Sequence, residues 1–277
     1  MALKSFDRKF GAKFVSELPA RPGVYRIFDT EDRLVYVGKA KNLRRRLAQY
    51  RNARRCRKHR KMKSIVADAA RIEFEVCATE LDALLLETRL IQDHRPRWNV
   101  EGAFSFLYPM IGMKAESGSV RFCFTSRPEE CEGFEWHGAY RSRFLTSEAF
   151  FGLMKLLQYV GHRVPGKARA AGSRSYVFSF RRLPEDSLEQ WSRFWRGESR
   201  AALEGLAFAL LENAGARKQK SDVEEQLKAV DRFWKHEARR LAKAREAAGY
   251  TRYPVPQSER DLIFIRSRFQ ASEELRA

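Results

Sequence analysis

The sequence predicts an α+β fold, a small and mainly antiparallel three-stranded sheet flanked by helices, followed by a mixed β/helical C-terminal region. Three observations predict it. "GVYRIF" and "RLVYVG" are rich in β-branched and aromatic residues and are separated by the polar turn "DTED", the composition of a hairpin. "RIEFEVC" alternates Ile72, Phe74 and Val76 against Glu73 and Glu75, as a half-buried strand does. Between and beyond these runs the apolar spacing changes from two to three and four, which is helical.

Taken in order, Leu43, Leu47 and Tyr50 place a helix directly after the hairpin, and Met62, Ile65 and Val66 mark a second basic helix over Lys58 to Ala69. After the third strand, "TELDALLLETRLIQDHRP" opens with a capping-box pair, Thr79 and Asp82. It turns Leu81, Leu84, Leu85 and Ile91 inward and stops near Pro96. The domain plan is a β-β-α-α-β-α unit over residues 1–100, an α+β region over 101–186 and a mainly helical region over 187–277. In the second region "FSFLYPMIGM", "SVRFCFTSR" and "RSYVFSFRR" read as strands, "TSEAFFGLMKLLQYVG" as a capped helix and "KARAAGSRS" as an exposed loop. In the third, Val223, Leu227, Val230, Trp234 and Leu241 form one apolar stripe. "YPVPQSERDLIFIRSRF" ends in a strand-like run.

Composition narrows the function classes. The 277 residues are 44% hydrophobic, enough for folded domains. No apolar run approaches the roughly 18–20 residues of a membrane span, and the N-terminus lacks a signal-peptide core, so a cytoplasmic protein with no membrane partner is expected. The four cysteines, Cys56, Cys77, Cys123 and Cys131, are far apart and read as independent reduced thiols. A hairpin bringing Cys123 and Cys131 together near His137 is a minor metal-site alternative. The five histidines are scattered without zinc spacing, and no Gly-rich nucleotide loop or serine or cysteine hydrolase motif is present. The net charge of +19 points to a polyanionic partner. Asp32 and Asp68 bracket a stretch with no acidic residue, in which "RRRLAQYRNARRCRKHRKMK" suits contact with a DNA backbone.

"PGVY…YVGKAKNLRRRLAQY" followed by "LLLETRLIQDHRPRWN" resembles the GIY-YIG nuclease superfamily. The likeness is to the N-terminal, 3′-incision half of the excinuclease subunit UvrC and its shorter homologue Cho. It is strong over residues 18–99 and continues more weakly through "FEWHGAYRSRFLTSEAFFGLMKLLQYV". Valine replaces isoleucine in both halves of the name motif, a neutral change for a strand. The resemblance implies a metal-dependent DNA endonuclease of nucleotide excision repair. It would make the 3′-side incision in damaged double-stranded DNA held by UvrB, with UvrA acting upstream.

Position by position, the resemblance puts the site on Tyr25, Tyr36, Lys39, Arg46, Tyr50, Glu87 and Asn99. Tyr36 is implied as general base, Glu87 as ligand of one divalent cation (Mg2+ or Mn2+) and Arg46 as donor to the scissile phosphate. A free phenol titrates near ~10, and Lys39 has the sign that helps a tyrosine give up its proton. Tyr25, on the partner strand, is placed to bond Tyr36 or the attacking water. Gly38, read as a sharp exit from the strand that lets a phosphate approach, joins Lys41, Arg44, Arg45, Tyr50 and Asn99 as substrate-binding candidates. One carboxylate suffices for magnesium, which keeps waters and borrows substrate oxygens.

Each residue also has a plain structural reading: hairpin aromatics, a basic face, a boundary glutamate paired with an arginine, a turn asparagine. The joint preservation of residue types and spacing outweighs these. Two features depart from UvrC. No cysteine cluster follows Gly161, so no iron–sulfur cluster is expected. The chain also ends before the RNase H-like half and helix-hairpin-helix modules, so one incision is expected. The alternatives are a GIY-YIG endonuclease of another pathway (mobile-element, defence or branched DNA) and an inactive DNA-binding adaptor.

Overall fold

The computed structural model describes residues 4–54, 56–99, 107–116, 118–166, 175–183 and 187–274. The chain divides into two compact units, Met1–Phe106 and Leu107–Ala277.

In the first unit the short helices α1 (Ser5–Phe10) and α2 (Phe14–Glu17) precede strands β1 (Gly23–Phe28) and β2 (Leu34–Ala40). Helices α3 (Leu43–Arg51) and α4 (Arg60–Asp68) follow, then β3 (Arg71–Val76) and α5 (Glu80–His94). The strands form an antiparallel sheet in the order β2-β1-β3, the predicted architecture. Alternation gives the sheet two faces. Tyr25 and Ile27 sit in a core with Phe6, Leu18, Leu43, Leu47, Tyr50 and Ile65. Val24 and Val37 join Cys77 and Ala83 on the α5 side, where Leu86, Leu90 and Ile91 pack against them. Of the residues expected inward on α5, Ile91 is there; Leu81, Leu84 and Leu85 lie outside this cluster. A continuous leucine run cannot itself choose which stripe meets the sheet.

Local signals hold the ends. The Thr79–Asp82 capping box forms in both directions, satisfying amide groups that a helix start leaves unpaired. Asn42 caps α3 by accepting from the Arg45 amide at 2.9 Å. At the other end of α4, Lys9 Nζ donates to the carbonyls of Val66, Ala67 and Ala69 at 3.0, 2.6 and 2.8 Å. A cation is placed there against the negative end of the helix dipole.

In the second unit, β4 (Met110–Glu116), β5 (Ser119–Thr125) and β6 (Glu135–His137) precede helix α6 (Arg143–Val160). Strands β7 (His162–Arg163) and β8 (Tyr176–Arg181) complete an antiparallel sheet ordered β6-β4-β5-β8-β7. Helix α6 starts ahead of the expected Thr146, capped by Ser142, whose Oγ accepts from the Leu145 amide. Among the described residues six helices follow: α7 (Ser187–Trp195), α8 (Ala201–Glu212), α9 (Ala214–Lys218), α10 (Lys220–Phe233), α11 (Arg239–Ala247) and α12 (Gln257–Glu274). A π-helical turn, Trp234–Ala238, joins α10 to α11. It carries Glu237, whose carboxylate accepts from the amides of Arg141 and Ser142 at 2.6 and 3.2 Å.

Two expectations change here. The helices after Ser187 share one core with the second sheet, since Phe122, Phe150, Phe180, Trp195, Phe233 and Leu241 belong to a single buried cluster. The regions 101–186 and 187–277 therefore pack as one unit. The apolar run at Leu262–Ile265, expected as a strand, is helical within α12, with Leu262, Ile263 and Ile265 buried. The "KARAAGSRS" loop, save Ser175, and the "FSF" of the expected strand "FSFLYPMIGM" lie outside the described residues; residues 107–109 are not in a strand, and β4 begins at Met110.

Candidate active site

β2 lies at the sheet edge, so alternate residues point their amides away from β1. Two side chains answer those amides. Asn99 Oδ1 accepts from the Val37 N–H at 2.9 Å while its Nδ2 donates to the Val37 carbonyl at 2.8 Å. Glu87 Oε1, from α5, accepts from the Lys39 N–H at 2.8 Å. Together they stand in for a further strand and fix α5 against β2. Asn99, expected at the substrate, thus has its amide engaged by the backbone that carries Val37 and Lys39.

On the other face the aromatic residues meet. In the register Tyr25 is opposite Gly38 and Ile27 opposite Tyr36. The Tyr25 and Tyr50 hydroxyls are 3.1 Å apart, and Arg46 Nε donates to Tyr25 Oη at 3.2 Å. The Tyr25 ring centroid lies 6.0 Å from that of Tyr36 and 5.8 Å from that of Tyr50. Arg46 sits 5.5 Å from the Tyr50 ring centroid and donates through Nη1 to Gln49 Oε1 at 2.8 Å. Tyr25 and Tyr50 are buried, whereas Tyr36 is half-buried. Of the three phenols, only that of Tyr36 is both near the cluster and partly open.

Gly38 corrects the expectation placed on it. β2 runs through it to Ala40, so it is not a sharp exit. A Cβ there would lie 2.4 Å from Tyr25 Oη and 2.5 Å from its Cζ. The missing side chain makes room for the Tyr25 ring in the neighbouring strand. Gly38→Ala should therefore cost roughly 1–3 kcal/mol through overpacking and should reduce activity by displacing the Tyr25–Arg46 contact. Thermal melts alongside rate measurements check this, and an unchanged melting temperature would refute the packing reading.

Electrostatics separates the groups further. Burial pushes the Tyr25 hydroxyl far above the ordinary phenol range, with the charge of Tyr36 adding to the rise. Burial likewise raises Tyr50, with Tyr25 and Tyr36 reinforcing it. For Arg46, burial opposes the charged form, but Tyr25, Tyr50 and Tyr36 together outweigh it and the guanidinium stays charged. Burial raises the Glu87 carboxyl above the usual carboxylate range, opposed by the Lys39 amide and by the charges of Lys39 and Arg46. Glu87 Oε2 accepts no hydrogen bond among the described residues. A partly buried carboxylate with one oxygen uncommitted beside an open cleft fits a hard divalent cation, which favours oxygen donors.

That cleft, about 240 Å³, is lined by Lys39, Lys41, Asn42, Arg45, Arg46 and Gln49. Its lining is positive, suiting a phosphate. Lys41 is exposed and paired with Glu80 at 2.7 Å. Arg44 donates through Nε to the Leu18 carbonyl at 2.7 Å, tying α3 to the segment before β1. Gln49, which orients Arg46, was not among the expected residues. Its only sequence signal is the i, i+3 spacing that puts it beside Arg46 on α3.

Residues 21–100 match the family described as a UvrC-like GIY-YIG domain. Among curated proteins, the chain is similar to UvrABC system protein C of Porphyromonas gingivalis, 35% identical over 143 residues that make up 52% of this chain and 22% of the relative. The Serratia proteamaculans protein of the same name is 36% identical over 149 residues, 53% of this chain and 24% of the relative. That of Pseudomonas fluorescens is 49% identical over 98 residues, 35% of this chain and 16% of the relative. The chain thus spans a quarter or less of the length of these relatives. Among solved structures it is similar to the GIY-YIG N-terminal endonuclease domain of UvrC from Thermotoga maritima bound to magnesium, its catalytic divalent cation. Identity is 31% and the TM-score 0.29, with 35% of this chain and 99% of that domain covered.

Proposed function

We propose, from the match of residues 21–100 to the UvrC-like GIY-YIG domain, that this protein is a metal-dependent DNA endonuclease of nucleotide excision repair. It makes the 3′-side incision at a lesion in UvrB-bound duplex, in the manner of Cho, and acts in the cytoplasm. One observation carries the reading. Glu87, a half-buried carboxylate, holds the Lys39 amide and feels the charges of Lys39 and Arg46, while Arg46 holds Tyr25, whose ring centroid lies 6.0 Å from that of the half-buried Tyr36.

The chemistry then divides among the side chains. Arg46, steadied by Gln49 and Tyr25, presents donors to the scissile phosphate as negative charge builds. Tyr36 takes the proton of the attacking water, because Tyr25 and Tyr50 are buried and engaged with each other. Lys39, exposed at the end of β2, adds positive charge beside the phosphate. Glu87 would hold a Mg2+ or Mn2+ ion through Oε2, and that ion would supply Lewis-acid polarisation of a phosphate oxygen. Tyr50 and Asn99 act by position, Tyr50 packing against Arg46 and Asn99 holding β2. Arg45 and Lys41 hold the strand at the cleft rim.

The test is incision of a defined lesion duplex with and without UvrA and UvrB, under Mg2+ or Mn2+. A 3′-side nick requiring UvrB is expected. Cutting of undamaged or branched DNA without UvrB would move the protein to another pathway, and no nick in any condition would leave a DNA-binding adaptor. Binding itself should weaken with salt at a slope near −0.9 per phosphate neutralised, measured by fluorescence anisotropy. A salt-independent affinity would argue against the backbone-contact reading.

A further inference from the structure

The second unit contains a pair of thiols outside the site described above. Cys123 lies in β5 and is fully buried. Eight residues on, Cys131 follows the turn Pro128–Glu130 and is half-buried. Their sulfurs are 3.9 Å apart, with Cys123 directed towards Cys131. The connection is short and anchored at both ends: the Arg127 amide donates to Thr125 Oγ1 at 2.9 Å, and the Cys131 amide to the Pro128 carbonyl at 3.1 Å. It leads to Phe134 and Trp136, whose rings, 5.6 Å apart, cover Gly112 of β4.

A metal reading of this pair finds no third ligand. His137 is opposite Ile111 in the register, whereas Cys123 is opposite Gly112. Alternation along β4 puts those two positions on opposite faces of the sheet. Among the described residues no group of three potential metal ligands occurs.

We propose that Cys123 and Cys131 are a two-thiol oxidation site, in which Cys131 reacts first with a peroxide and Cys123 then closes a disulfide. The asymmetry of exposure sets the order. Cys131 can be reached from solvent, while Cys123 cannot. Burial, reinforced by Cys131, also raises the Cys123 thiol above its usual range, which disfavours it as the first nucleophile. In the first step Cys131 thiolate attacks one peroxide oxygen, the O–O bond breaks, hydroxide leaves and the sulfur becomes a sulfenic acid. In the second, Cys123 sulfur attacks that sulfur, the S–S bond forms, the S–O bond breaks and the Cys123 proton leaves with hydroxide as water. Overall two thiols lose two electrons and two protons, and hydrogen peroxide becomes two waters. Closure to a disulfide bond length near 2.05 Å needs about 2 Å of approach, which the turn carrying Cys131 can supply more readily than strand β5. The product pins the β5–β6 connection to the sheet. This inference is independent of the nuclease reading.

The test treats the full, reduced chain with hydrogen peroxide, alkylates remaining thiols and maps the peptides by mass spectrometry. A Cys123–Cys131 cross-linked peptide is expected, with both thiols lost together from alkylation and both restored by dithiothreitol. Cys131→Ala, a change at a half-buried turn position, should abolish the cross-link and leave Cys123 reduced. Cys123→Ala should leave Cys131 as a sulfenic acid trapped by dimedone. Exposed Cys56 and buried Cys77 are internal controls for reach. Irreversible oxidation of Cys131 without a cross-link in the parent would overturn the proposal. So would a Cys131 that stays reduced while Cys56 oxidises, or a Cys123 that oxidises fully in Cys131→Ala.

Discussion

Glu87→Gln should lower strand cleavage by on the order of a thousandfold while leaving the fold intact. Glutamine keeps the oxygen that accepts from the Lys39 amide but loses the charge that a divalent cation needs. The stability sign follows from the raised carboxyl. Burial makes Glu87 hold its proton more tightly in the folded protein than in the unfolded chain. Its contribution is therefore fully present below the ordinary glutamate pKa and is lost as pH rises through the folded value. At neutral pH without metal, Glu87→Gln should melt no lower than the parent. Added Mg2+ should raise the melting point of the parent only. Activity should also fall on acidification from a pH above the ordinary glutamate range, because a protonated Glu87 cannot hold a cation. Parent-like cutting by Glu87→Gln, or Mg2+ stabilisation of that variant, would remove the metal assignment.

Tyr36→Phe should slow cleavage by about 10²–10⁴, the usual worth of a positioned general base, with little change in DNA affinity or melting temperature. The contrast is with Tyr25→Phe. The Tyr25 hydroxyl accepts from Arg46 and is 3.1 Å from the Tyr50 hydroxyl in a buried setting. Its loss leaves a buried group short of a partner, costing about 1–3 kcal/mol, together with a smaller loss of rate from the loosened Arg46. Single-turnover rates and thermal melts on both variants separate the roles. If Tyr25→Phe loses more rate and no stability, the base belongs on Tyr25.

The elements nearest the site were legible because their causes are local. β-Branched and aromatic runs around a polar turn marked the hairpin, alternation marked β3, spacing at three and four marked α3, and Thr79 with Asp82 announced the start of α5. Where one stretch allowed two structures, the reading failed. Leu262 to Ile265 is a short apolar run that periodicity cannot assign to strand or helix. Packing decided it, burying Leu262, Ile263 and Ile265 on α12. The α5 face failed for a related reason, since "LLLE" presents apolar surface in several directions.

The residue types of the proposed chemistry and the positive charge around them were set by the sequence alone: Tyr25, Tyr36, Lys39, Arg46 and Glu87 stand in it without any structure. Which of these groups is open and which is engaged was decided only by tertiary structure. Gly38 serves the Tyr25 ring, Asn99 completes the β2 edge, and Arg44 commits its Nε to the Leu18 carbonyl. Spacing along a chain records which groups can share an element. Hydrogen bonds and close contacts between residues tens of positions apart exist only once strands are paired and helices are seated on them.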